Sequence, residues 1–132
     1  MIFLSELVSI KYSTRLVFLI KDRAYKFPLS RRGYLQGKQE LHIWNLYKDT
    51  GFFAPLLWER FGIVCQQRID QLDTLPQDRL QLIRNSVSEL NIENCDLHNI
   101  ENWGIHNNLP VLLDYGINER ISSMYKSKEA AR

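Results

Sequence analysis

Apolar and polar positions change period along this chain, and the changes mark its elements. From residue 3 to residue 29 the segments "FLSELVSI", "RLVFLI" and "AYKFPL" are rich in Val, Ile, Leu and Phe and alternate with a period near two. That pattern predicts three strands, separated by the polar "KYST" and a tight turn at "KDR" and closed by Pro28, which together make an antiparallel meander. A basic, glycine-containing turn, "SRRGYLQG", leads into "KQELHIWNLYKD", where Leu41, Trp44 and Tyr47 recur at helical spacing. The stretch "FFAPLLWERFGIVCQQRID" predicts two further strands around a turn at Arg60–Gly62. In "TLPQDRLQLIRNSVSELNI", Leu80, Ile83, Val87 and Leu90 form one stripe of a second helix, with Thr74 placed to cap it and Pro76 suited to its first turn. A polar loop follows, then a short apolar strand from Leu109 to Leu113, then a charged tail. Strands precede and flank grouped helices instead of alternating with them, so the expected class is α+β.

Composition narrows the setting. A chain of 132 residues is one domain's worth, and 45% hydrophobic with 24% charged content is ordinary for a globular protein. Seventeen basic against fifteen acidic residues give a net charge of +2, too balanced for a nucleic-acid binder. Two cysteines, Cys65 and Cys95, make neither a disulfide framework nor a zinc site, and point to a reducing, cytoplasmic location. The apolar N-terminal stretch is interrupted by Glu6, Lys11 and Arg15, so neither a signal peptide nor a membrane span is expected. His98 is expected to pack within its loop, and Trp44, Trp58 and Trp103 to serve as packing residues.

The candidate chemistry gathers around "CDLHNIENWGIHNNLPVLLDYG", residues 95–116. An Asn-rich loop with one carboxylate is followed by a strand that delivers a second carboxylate to its end, in Asp-Tyr-Gly. Upstream, Lys26 lies on the third strand and Glu40 in the next helix. In order and approximate spacing this set resembles the protein-kinase-like superfamily, above all its aminoglycoside-phosphotransferase-like and small bacterial or phage branches. The resemblance spans roughly residues 7–116 and implies a single domain over 1–132. It would comprise a kinase-like N-lobe at 1–69, a five-stranded antiparallel sheet with one helix, and a much reduced C-lobe at 70–132.

It also implies ATP and Mg²⁺ as cofactors and a phosphotransferase activity. Phosphoryl transfer asks a protein for positioned phosphates and neutralised charge. By resemblance, Lys26 would hold the α- and β-phosphates and Glu40 would orient it. Asp96 would take the acceptor hydroxyl's proton, while Asn102 and Asp114 would ligate Mg²⁺. Backbone groups near Gln67 and Ile69 would meet the adenine.

The chain departs from the family at four places. The glycine-rich loop's position, "SIKYSTR", has no glycine, which leaves Ser13, Thr14 and Arg15 as phosphate donors. Asn102 stands six residues after Asp96 where five is usual, with Asn99 as the alternative. Asn94 stands where a histidine is common. Only sixteen residues follow Gly116, too few for an activation segment or a helical lower lobe. Two functions therefore stand side by side. One is an ATP-dependent phosphotransferase of unknown acceptor. The other is a catalytically silent kinase-like protein that binds and regulates a partner, such as a host protein met by a phage- or mobile-element-encoded factor. A twofold homodimer is the expected way to complete so small a site.

Overall fold

A computed structural model describes residues 7–11, 15–87 and 97–116 of the chain, the first stretch as backbone only. The class is α+β. Strands β1 (Leu7–Lys11), β2 (Arg15–Ile20), β3 (Arg23–Pro28), β4 (Leu56–Arg60) and β5 (Ile63–Gln67) form one antiparallel sheet in the order β1-β2-β3-β5-β4. A second sheet, β6-β7-β8, joins β6 (Asp70–Gln71), β7 (Trp103–His106) and β8 (Leu109–Leu112). Helix α1 (Arg31–Tyr47) follows β3, and α2 (Gln77–Ser86) follows β6. Among the described residues no helix is long and apolar enough to cross a membrane.

Register decides which side chains meet. Across β2 and β3, Arg15 faces Pro28, Val17 faces Lys26 and Leu19 faces Ala24. Across β3 and β5, Lys26 faces Val64 and Ala24 faces Gln66. Cross-strand partners share a face of the sheet. Arg15, Lys26, Val64 and Gln66 therefore all lie on one side, and all four are buried.

Helix α1 begins seven residues before the predicted start. The basic segment expected to be a turn is its first two turns, capped by Ser30, whose hydroxyl accepts from the Gly33 N–H at 3.3 Å. Its most buried face also differs from the predicted Leu41–Trp44–Tyr47 stripe and comprises Arg32, Gly33, Gln36, Gly37, Glu40 and Ile43. The physical reason is what the helix touches. A Cβ on Gly37 would run into the carbonyl of Gly62 in the β4–β5 turn. Close backbone approach requires small residues at that contact, and Gln36 and Glu40 meet the backbone at Gly116 and Tyr115. Only the C-terminal turns of α1 are oily. Ile43, with Trp44 and Tyr47 beside it, enters a core made with Phe52, Phe53, Leu80, Ile83, Val87, Leu97, Trp103, Leu112 and Tyr115.

Helix α2 carries the predicted Leu80 and Ile83 into that core, and Val87, the residue that ends it, joins them; Leu90 lies outside the described residues. Its start is a correction. Pro76, not Thr74, holds the N-cap position, and no side chain caps the helix. The strand pair β7–β8 turns at Asn107 and Asn108, both with positive φ (53° and 65°), a conformation that asparagine tolerates better than most residues. Strands β6 and β7 were not among the predicted elements; two residues are too few to show a period, and "WGIH" has no alternation. The segment 52–54 runs alongside β8, with the Ala54 N–H donating to Leu112 O and the Leu112 N–H to Phe52 O. That pairing ties the chain between α1 and β4 to the small sheet.

Candidate functional site

Four charged side chains from four segments meet between the sheet, α1 and the end of β8. Glu40, fully buried, is the centre. Its Oε1 accepts from Arg15 Nη1 at 2.5 Å, and its Oε2 accepts from Lys26 Nζ at 2.8 Å. The Tyr115 N–H donates to the same Oε2 at 3.2 Å. Arg15 reaches onward, with Nη2 donating to Asp114 Oδ1 at 2.8 Å. Lys26 Nζ also donates to Leu113 O at 2.7 Å. Two cations and two carboxylates thus form a neutral quartet, tied to the backbone on both sides of Asp114.

Burial makes this arrangement consequential. Arg15 is 3% exposed and Lys26 5%, while the Asp114 side chain, at 19%, is the lip open to solvent. A buried ion costs several kcal/mol in desolvation unless its partners satisfy it. Here each charge has a charged partner, and Glu40 also takes a backbone N–H. Burial pushes the Lys26 ammonium below its ordinary range; the Glu40 carboxylate opposes that shift, and the nearby Arg15 guanidinium adds to it. Arg15 cannot relieve crowding by losing a proton, whereas Lys26 can.

The Asp-Tyr-Gly triplet is placed residue by residue. Tyr115 is buried in the core, its ring 4.6 Å from that of Phe53 and its hydroxyl donating to Ala54 O at 2.9 Å. Burial first, and then the Glu40 charge, hold its phenol well above the ordinary tyrosine range. Gly116 lies against α1, where a Cβ would strike the Gln36 carbonyl and come within 2.9 Å of Glu40 Cγ. The glycine is needed for that close approach, which lets the Tyr115 N–H reach Glu40. Asn102, at the end of a 3₁₀ turn (Ile100–Asn102), is buried and donates from Nδ2 to Asp114 O at 2.9 Å. Asn99 accepts from the Glu101 N–H and caps that turn. Trp103 Nε1 donates to Leu97 O, fastening the start of the turn to β7.

The structure therefore brings Lys26, Glu40, Arg15, Asp114 and Asn102 together. Ser13, Thr14 and Asp96 lie outside the described residues, as do Asn94 and Cys95. Arg15, expected to face phosphate, instead sits on two carboxylates. None of the described hydrogen bonds of the quartet involves Gln67 or Ile69. The Gln67 N–H donates to Pro55 O, and Ile69 Cγ2 would lie 2.6 Å from a Cβ on Gly104 of β7. His98, expected to pack within its loop, is exposed because the turn at 97–98 directs Leu97 inward instead. Backbone groups were invisible to sequence reasoning. Leu113 O and the Tyr115 N–H complete the site, and the glycine of Asp-Tyr-Gly was the one signal that could have found them.

Among the described residues no three His, Cys, Asp or Glu side chains converge on a metal position. Of the two expected ligands, Asp114 is paired with Arg15, while Asn102 donates through Nδ2 to a backbone carbonyl and keeps its Oδ1, the atom that could ligate a metal, buried. As arranged, these side chains do not fit Mg²⁺, which needs oxygen donors and not an arginine in its seat. No protein-family model, no curated protein and no solved structure matches this chain.

Proposed function

We propose that this chain is a kinase-like protein, its larger sheet and α1 corresponding to an N-lobe and its smaller sheet to a reduced C-lobe. In this reading it binds the phosphates of a nucleotide such as ATP at Lys26, in the manner of an ATP-dependent phosphotransferase of unknown acceptor. The observation that carries the proposal is the Lys26–Glu40 pair at 2.8 Å, a strand lysine and a helix glutamate, buried beside Asp114. A lysine held by a buried carboxylate presents a positioned cation, which phosphate binding requires. Calorimetric titration of ATP, once with Mg²⁺ and once with EDTA, tests it, with Lys26→Met as the site control. Saturable heat lost in the variant is the expected result. No binding of millimolar ATP in either buffer refutes the reading.

A second reading has its own observation. Arg15 pairs with both Asp114 and Glu40, so the carboxylate nearest solvent is already occupied. That favours a catalytically silent kinase-like protein that binds and regulates a partner protein. In that case a folded Lys26→Met variant keeps its biological activity and its partner, and losing either while folded rejects it.

A further inference from the structure

Arg15 is held from two sides at a position set by sheet register. β2 places it two residues from Val17, the cross-strand partner of Lys26, so its side chain lies on the helix-facing side. Its guanidinium donates to Glu40 through Nη1 and to Asp114 through Nη2, and it is 3% exposed. We propose that Arg15 is a resident counter-cation in the seat beside Asp114, and that it excludes a divalent cation from this site. The inference builds on the reading of Asp114 as the metal-side carboxylate, but its test requires no nucleotide.

Three physical points support it. A guanidinium keeps its proton in proteins, so Arg15 cannot become neutral to admit a metal. The quartet of Arg15, Lys26, Glu40 and Asp114 already sums to zero, so a divalent ion would meet no net negative charge from these described side chains. A divalent ion near Asp114 would also stand within a few ångströms of a fixed positive charge, and that repulsion is strong wherever solvent is thin. Among the described side chains, removing the charge of Arg15 changes the set from neutral to net negative, with Glu40 and Asp114 against Lys26.

The 132-residue chain is titrated with Mn²⁺, read by electron paramagnetic resonance, as wild type, Arg15→Gln, Arg15→Lys, Asp114→Asn and the double variant Arg15→Gln/Asp114→Asn. Thermal unfolding checks that each is folded. Wild type and Arg15→Lys are expected to leave Mn²⁺ free at concentrations where Arg15→Gln binds it. The gain is about tenfold or more in affinity, and the double variant loses it. Equal binding by wild type and Arg15→Gln, tight or absent, overturns the proposal. So does Mn²⁺ binding by wild type that Asp114→Asn abolishes, a result that stands even if Arg15→Gln fails to fold. The ATP titrations with Mg²⁺ and with EDTA separately decide the nucleotide reading, so the two can fail independently.

Discussion

Glu40→Gln is the most informative single perturbation, because one carboxylate holds two buried cations and a backbone N–H. The substitution keeps the shape and removes the charge, leaving Arg15 and Lys26 to share Asp114. Breaking a buried pair from one side costs about 3–5 kcal/mol, since the remaining charge stays buried. Lys26→Met should cost less, about 1–2 kcal/mol, because Glu40 keeps Arg15 and the Tyr115 N–H while burial already disfavours the lysine's charge. At about 2.1 cal/mol/K per residue, 132 residues give an unfolding entropy of roughly 0.28 kcal/mol/K. A loss of about 4 kcal/mol then lowers the Tm by roughly 14 °C, against roughly 5 °C for Lys26→Met. Urea unfolding followed by tryptophan fluorescence measures both, with the buried Trp103 as reporter. The reasoning is refuted if Glu40→Gln costs less than about 1 kcal/mol, or if Lys26→Met costs as much. Either result would mean that the carboxylate is not the centre of the quartet.

Other outcomes follow from neighbouring contacts. Gly116→Ala drives a methyl into the Gln36 carbonyl, and should destabilise by about 2 kcal/mol or more in the same urea assay. Asn102→Ala leaves Asp114 O without its amide donor and should cost about 1–2 kcal/mol, with faster amide exchange at 113–115 as the local readout. Tyr115→Phe removes the bond to Ala54 O, about 1 kcal/mol at neutral pH. In alkali the sign of that comparison moves. The folded phenol keeps a proton that the unfolded one loses above its ordinary 10.0, so wild-type stability falls as the pH rises past that value. The lowered Lys26 acts oppositely, its stability term rising toward the ordinary lysine value of 10.5, but it is common to both proteins and cancels. The gap between wild type and Tyr115→Phe should narrow from about pH 8 to about pH 11, and a constant gap would contradict the buried phenol.

Sequence by itself determined the local elements with strong periods. The meander of β2 and β3, the β4–β5 hairpin, the Leu80–Ile83–Val87 stripe and the short strand before Asp114 follow from period-two alternation, helical spacing or a bounded apolar run. Local pattern is enough there because each element buries one face of its own residues. The chain's resemblance to the kinase-like superfamily also singled out Lys26, Glu40, Asn102 and Asp114 as one group. The early start of α1 and its polar buried face were hidden, because a face pressed on backbone and ions selects glycine and charge instead of an apolar stripe. The place of Arg15 was hidden for a related reason. A cation at the start of a strand faces water or a carboxylate according to which segments pack over it. Glu40 and Asp114 lie 25 and 99 positions further along the chain. Only the folding of α1 and the end of β8 onto one face of the sheet puts both carboxylates in its reach, and that long-range closure has no period for a sequence to display.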